Sequence, residues 1–148
     1  MKHILSALVQ NKPGVLAHVA GMFAARAFNI DSLVVGRTED PDLSRMTNVV
    51  VGDDKVVEQV RKQLAKIVTV VKVQDFAGAD VVSRDLMLIN ISAPPEKRPE
   101  LLALIEMFNG KVVDIGPKFV MVETSGPENK LEAFVDAARQ CGSRLSAN

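Results

Sequence analysis

At 148 residues the chain has room for one moderate domain or two small ones, and for a core that needs no disulfide staples. Apolar residues make up 47% and charged residues 24%, which excludes a disordered chain. Eighteen acidic side chains cancel eighteen basic ones, no basic cluster is interleaved with aromatics, and Trp and Tyr are absent, so neither nucleic acid nor an anionic membrane is indicated as a partner.

In chain order, a short apolar strand is expected over Lys2–Val9, followed by a helix over Pro13–Phe28. Leu16, Val19, Phe23 and Ala27 recur at spacings of three and four, which predicts one buried face. Pro13 suits the first helical position because its missing N–H has no intrahelical partner there. Asn11 is a good turn or capping residue just ahead of it. Gly14 has no side chain where the free N–H groups of a first helical turn point outward, a geometry that receives a carboxylate. Asn29–Thr38 reads as a second strand and Ser44–Val51 as a third, joined by the polar turn Glu39-Asp40-Pro41-Asp42. Gly52-Asp53-Asp54 opens a second helix with two carboxylates at its positive end. Val57, Val60, Leu64 and Ile67 form its buried stripe, while Lys55, Glu58, Arg61 and Lys62 face solvent. A fourth strand spans Val68–Phe76. The order β-α-β-β-α-β predicts an α+β, ferredoxin-like unit: a four-stranded antiparallel sheet with both helices on one face.

After a linker at 78–83 the same order begins again. Leu86–Ser92 reads as a strand stopped by Pro94-Pro95, and Glu96–Asn109 as a helix with Leu101, Leu104, Ile105 and Phe108 inside. Asn109-Gly110 ends it, with glycine expected in the left-handed conformation. Strands at Lys111–Ile115 and Phe119–Thr124 flank the tight turn Gly116-Pro117-Lys118, and Gly126-Pro127 opens a last helix that buries Leu131, Phe134, Val135 and Ala138. Two tandem βαββαβ units result, 1–77 and 84–148. The run after Cys141 holds too few β-branched or apolar residues to predict a closing strand, so the second unit is expected to be clipped or atypical at its last strand.

Catalytic chemistry is poorly represented. The two histidines, His3 and His18, and the single Cys141 do not assemble into a metal set by spacing, and a structural or solvent role is expected for each. The lone cysteine also excludes an internal disulfide framework and fits a reducing compartment. No P-loop, G-x-S-x-G or G-x-G-x-x-G occurs. Glu39, Asp40 and Asp42 offer at most a weak cation site, and a solvated polar loop is the plainer reading. No apolar run reaches the ~20 residues that span a bilayer. Met1-Lys2-His3 leads straight into a strand without a leader, so a cytoplasmic location is expected. What stands out is the turn before the first helix together with Asn29. The carboxamides of Asn11 and Asn29 donate and accept hydrogen bonds without carrying charge, as a receptor for an amino-acid zwitterion requires. Val15, Leu16, Ile30 and Val35 are placed to line a small aliphatic pocket beside them. In a single unit the end of the first strand and the start of the second are expected to meet at the ends of helix one.

These residues carry a resemblance. Asn11-x-Pro13-Gly14-Val15-Leu16, then Phe23, Arg26 and Phe28-Asn29-Ile30-Asp31-Ser32-Leu33, then Leu43-Ser44-Arg45-Met46-Thr47, resemble the regulatory (small) subunit of acetolactate synthase, also called acetohydroxyacid synthase. Arg84-Asp85-Leu86-Met87-Leu88 and Phe108-x-Gly110-Lys111-Val112-Val113-Asp114 extend the likeness, which runs from Ile4 to about Ala138. Pro-Gly-Val-Leu alone marks an ACT domain, a common amino-acid-sensing module. The later runs are much more specific. The resemblance implies an N-terminal ACT domain that pairs side by side with its twin into an eight-stranded sheet. It implies a branched-chain amino acid, usually valine, bound where two such domains meet. Asn11, Gly14 and Asn29 match positions around the ligand's polar end, with Val15, Leu16, Ile30 and Val35 near its side chain, and Pro13 belongs to the same effector-binding set. It further implies a large catalytic subunit as partner, activated by this chain and made sensitive to feedback. Thiamine diphosphate, magnesium and FAD would belong to that partner, and none to this chain. The short C-terminus departs from the family pattern. A free-standing ACT-type sensor or transcription regulator is the alternative, although neither a helix-turn-helix segment nor a basic surface is visible.

Overall fold

Strand β1 (Lys2–Gln10) sets the two faces of the first sheet. It pairs antiparallel with β3 (Leu43–Val51) on one side and with β4 (Val70–Asp75) on the other, and β2 (Ile30–Arg37) pairs with β3 at the far edge. The strand order is β2-β3-β1-β4. Because side chains alternate across a strand, Leu5, Ala7 and Val9 share one face with Met46 and Val50, and this face is buried. Helix α1 (Val15–Ala25) lays Val15, Val19, Met22 and Phe23 on it, and helix α2 (Asp54–Ala65) lays Val57, Val60 and Leu64 beside them. The computed structural model describes residues 1–141 and the backbone of 145–147. The chain divides into two units, Met1–Val81 and Val82–Asn148, with irregular backbone at 76–84.

The second unit repeats the plan. Strand β5 (Asp85–Ser92) is followed by a 3-10 turn at Pro95–Lys97, helix α3 (Arg98–Met107), strands β6 (Lys111–Ile115) and β7 (Phe119–Gly126), helix α4 (Glu128–Gln140) and strand β8 (Leu145–Ala147). The sheet order is β6-β7-β5-β8. Ile89, Ile91, Val120 and Val122 from the sheet meet Leu101, Ile105, Phe134 and Ala138 from the helices. Phe108 and Phe134 close this core edge to face, with ring centroids 5.4 Å apart.

Four expectations are corrected. The second unit does not lack a last strand: β8 lies antiparallel to β5, with Leu145 opposite Ile91 and Ala147 opposite Ile89. A three-residue edge strand is held by main-chain ladder bonds, which need no β-branched side chain. Helix α1 is shorter than Pro13–Phe28. It begins after Gly14, whose φ of 83° is left-handed, so Pro13 lies in the preceding turn. At its far end Ala27 takes φ 51° and is exposed rather than buried. The buried stripe also turns by one position, because Val15 is core at 6% exposure and Leu16 stands out at 48%. In the second unit Asn109, not Gly110, takes the left-handed conformation, at φ 54°. Gly110 is needed instead for close approach: a Cβ there would lie 3.1 Å from both Ile105 Cγ2 and Val122 Cγ1.

One core position has no apolar logic. Asn48 is fully buried between Leu5 and Leu33 on its neighbouring strands, and neither end of its carboxamide has a hydrogen-bond partner among the described residues. An unsatisfied buried polar group costs about 1–3 kcal/mol. Asn48→Leu, which fills a similar volume, is therefore expected to raise stability by about 1–3 kcal/mol in urea unfolding. A loss of stability instead would show that the carboxamide is engaged in the native protein.

Candidate functional site

The two helix starts of the first unit are built on opposite principles. Helix α2 is capped: Asp53 Oδ1 accepts the Val56 N–H at 2.9 Å, and Asp54 adds a carboxylate in the first turn. Such a cap is worth about 1 kcal/mol. Helix α1 has neither. Gly14 is its N-cap, no side chain accepts there, and its first turn holds no acidic residue. Val15 N–H reaches Lys12 O only at 3.5 Å. The positive end of α1 is thus left open to solvent at an exposed Asn11-Lys12-Pro13-Gly14 turn. A Cβ built on Gly14 would meet nothing within 4 Å beyond its chain neighbours, so space is open on that side of the turn.

Asn11 does not cap the helix. Its Nδ2 donates to Pro41 O at 3.1 Å and its backbone N–H donates to Asp42 O at 2.7 Å. It is thereby clamped to the loop between β2 and β3. That loop is preset by its own bonds: Asp40 Oδ1 accepts the Asp42 N–H at 2.9 Å, and Thr38 Oγ1 accepts the Asp40 N–H at 3.1 Å. The turn signals marked this loop in the sequence, but nothing local linked it to a residue 30 positions earlier. Lys12 and Pro13 sit exposed between the clamp and Gly14.

Asn29 is elsewhere. Its carbonyl accepts the Val51 N–H, and Val51 lies opposite Lys2 at the start of β1. Asn11 follows Gln10, at the end of β1. The two carboxamides therefore stand at opposite ends of the sheet, roughly 25–30 Å apart at ~3.3 Å per strand residue. The expectation that one unit brings them together is corrected. Helix α1 runs the length of the sheet between them, so the end of β1 and the start of β2 face opposite ways. Ile30 stays with Asn29 and is half-buried against the core. Val35, opposite Met46, lies toward the Asn11 end and is 43% exposed. In a single copy the eight residues divide into a corner of Asn11, Pro13, Gly14, Val15 and Leu16, with Val35 nearby, and a distant pair, Asn29 and Ile30.

The edge strand between these two places is open. Every residue of β2 from Asp31 to Arg37 is exposed, including Leu33, Val34 and Val35, and β2 has a neighbour on one side only. The outward side of α1 is small and apolar, with Leu16, Ala17, Ala20, Gly21 and Ala24 exposed.

The remaining chemistry-bearing groups do not converge. His3 is buried, with Nε2 3.8 Å from Asp54 Oδ1. His18 lines a shallow groove with Arg26, Gln63 and Lys66. Burial, and then the Glu100 carboxylate 3.7 Å away, push the Cys141 thiol up. Among the described residues no three His, Cys, Asp or Glu side chains form a group able to hold a metal ion.

Comparison with known proteins gives one direction. Residues 5–72 match a family described as the AHAS small subunit-like ACT domain, and residues 84–146 match one described as the small subunit of acetolactate synthase. A probable acetolactate synthase small subunit of Archaeoglobus fulgidus is 53% identical over 96% of this chain and 89% of its own length. The acetolactate synthase isozyme 3 small subunit of Escherichia coli is 42% identical over 94% and 85%. The crystal structure of the acetolactate synthase small subunit from Thermotoga maritima superposes with a TM-score of 0.86 at 37% identity, covering all of this chain and 93% of that one.

The left-handed turn at Gly14 can be tested directly. Gly14→Ala meets no steric obstacle but places a Cβ at φ 83°, which costs roughly 1–2 kcal/mol. Gly14→Asn should lose less, because asparagine tolerates this region better. Denaturant unfolding of both variants checks the order, and equal losses would show that the turn relaxes.

Proposed function

This chain belongs to the acetolactate synthase small-subunit family, and on that premise we propose that it is a non-catalytic regulatory subunit. It binds the large catalytic subunit, activates it, and confers feedback inhibition by a branched-chain amino acid, valine foremost, in valine, leucine and isoleucine biosynthesis. Thiamine diphosphate, magnesium and FAD act in the partner. A cytoplasmic complex fits a chain in which no described helix is long and apolar enough to cross a membrane.

The observation that carries the effector reading is the split site. One copy holds an uncapped helix start at Gly14 and, at the other end of the sheet, Asn29. Two copies paired antiparallel along β2 would set the Ile30 end of one strand against the Arg37 end of the other. Arg37 lies opposite Ser44, which lies opposite Val9, so that end of β2 is the Asn11 end of the sheet. Asn29 of one copy would thus come beside the other's 38–42 loop, to which Asn11 is clamped. The exposed Leu33, Val34 and Val35 would be covered by the same pairing, which gives an eight-stranded sheet. The amino acid's carboxylate would meet the free N–H groups after Gly14. Carboxamides from both copies would address its polar end, and Leu16, Val35 and the partner copy's Ile30 would flank its side chain. The Val15 side chain is core, so it would contribute its backbone N–H.

Reconstitution with the catalytic subunit, with and without each branched-chain amino acid, tests the function. Activation and valine-dependent inhibition are expected, and their joint absence overturns the proposal.

The site itself is tested by complementation. Asn11→Ala and Asn29→Ala should each weaken valine binding by about 0.5–1.5 kcal/mol, roughly 2- to 10-fold in Kd. Refolding the two variants together would give mixed pairs with one doubly altered site and one native site. Calorimetry should then recover native affinity at roughly a quarter of all sites, from random two-fold association. If mixing restores nothing, the two carboxamides do not share a ligand across copies.

A further inference from the structure

The second unit carries an edge of the same kind. Strand β6 is an outer strand of its sheet and, among the described residues, pairs only with β7. Three of its five residues are exposed apolar side chains: Val112 at 41%, Val113 at 47% and Ile115 at 55%. Leu102, on the neighbouring helix α3, is exposed as well. A short edge strand is ordinarily blunted by lysine, by a bulge or by polar side chains. Here the charges have a second property. Lys111 lies opposite Glu123 and Asp114 opposite Met121. Glu123 and Met121 are two apart on β7, so Lys111 and Asp114 project on the same face of the sheet. Among the described residues the Lys111 side chain has no hydrogen bond or ion pair, its backbone lying in the β6–β7 ladder. Asp114 Oδ1 accepts only the Ile115 N–H, at 2.9 Å.

We propose that the second unit pairs with a second copy of this chain through β6, antiparallel, about a two-fold axis between Val112 and Val113. That register sets Lys111 of each copy opposite Asp114 of the other, and Val112 opposite Val113. Both ion pairs fall on the open face, and the apolar side chains cover one another. A two-fold centred on Val113 instead places Asp114 against Val112 and leaves both lysines unpaired. Opposite charges facing each other across strands stabilise a pairing, so the spacing of Lys111 and Asp114 selects the first register. The bulge between Val112 and Asp114 has a counterpart in β2 between Ile30 and Ser32, so β2 and β6 each carry an irregularity.

Five residues bury less than the roughly 1,000 Å² of a stable free-standing interface. The β2 pairing proposed above would supply the tether, since a copy held at one edge is presented to the other at roughly millimolar effective concentration. To that extent the inference rests on the proposed homodimer. It does not depend on the effector.

The full-length protein carrying Lys111→Cys and Asp114→Cys in a Cys141→Ser background tests the register. Directly opposed residues of antiparallel strands have Cα atoms about 4.5–5.5 Å apart, within disulfide range. Within one chain the two positions are roughly 10 Å apart along the strand, too far to bridge. Mild oxidation should give a covalent dimer on non-reducing gels that requires both cysteines. No dimer, or equal dimer from either single variant, overturns the proposal. A spin label at Glu123→Cys keeps Lys111 and Asp114 intact and should report a Cα separation of roughly 18 Å across the four central strands. A separation beyond about 40 Å overturns the proposal as well. A protein that runs as a dimer yet fails both measurements removes the β6 pairing and leaves the β2 reading standing. A β6 cross-link without valine binding leaves the β6 pairing standing and removes the effector reading alone.

Discussion

The crossover from β1 to β2 is the constraint on which the first unit depends. Both strands pair antiparallel to β3, so they run in the same direction. The chain must return the full length of the sheet between them, and α1 is that return. The end of β1 and the start of β2 are therefore held at opposite ends of a rigid sheet, and no side-chain rotation closes a gap of roughly 25 Å. Whatever uses both the Gly14 turn and Asn29 must draw them from different copies. The geometry that forbids the site in one chain is the same geometry that an antiparallel edge pairing turns into two sites.

This shifts the stability argument from the site to the edges. A helix start without a cap forgoes about 1 kcal/mol, and α1 forgoes it while α2, in the same core, does not. An outer strand with Leu33, Val34 and Val35 in water is a liability in a free monomer. Each feature is unfavourable alone and each is relieved by the same event. In the proposed arrangement an amino-acid carboxylate satisfies the open N–H groups, and a second copy covers the strand. A ligand that touches both copies then favours the paired state over the free one. That differential affinity is what a binding event must supply if it is to change anything beyond itself.

Where the sequence was legible, several signals agreed. Helix α2 had a capping aspartate, a polar outer face and a clean apolar stripe, and it formed almost where those signals placed it. The βαββαβ order was readable twice because strand-rich and helix-periodic runs alternate sharply. Helix α1 was less legible because Val15, Leu16, Val19, Ala20, Phe23 and Ala24 are all apolar or small, and such a run fixes the buried face only to within a position. Its start is ambiguous in the sequence because Pro13 and Gly14 fit both a first helical turn and the turn before one. Strand β8 gave no side-chain signal, since its place is set by the backbone of β5. Asn48 could not have been assigned to the core from its type. Of the site, residue identities were legible and their mutual placement was not, because placement depends on strand direction, which no local pattern encodes.

The two units also differ in what their openings offer. In the first, the helix after the opening strand starts at a left-handed glycine with no acidic residue in its first turn. In the second, the 3-10 turn at Pro95–Lys97 leads into α3, with Glu96 in the turn and Glu100 in the first helical turn. Arg98 ties this start down by donating to the carbonyls of Ala93 and Gly116. A carboxylate ligand would meet Glu96 and Glu100 there, whereas the first turn of α1 holds no acidic residue. The duplicated fold thus keeps one helix start open and closes the other with its own charges. In the proposed arrangement the effector is therefore assigned to the first unit, while the second offers the β6 edge.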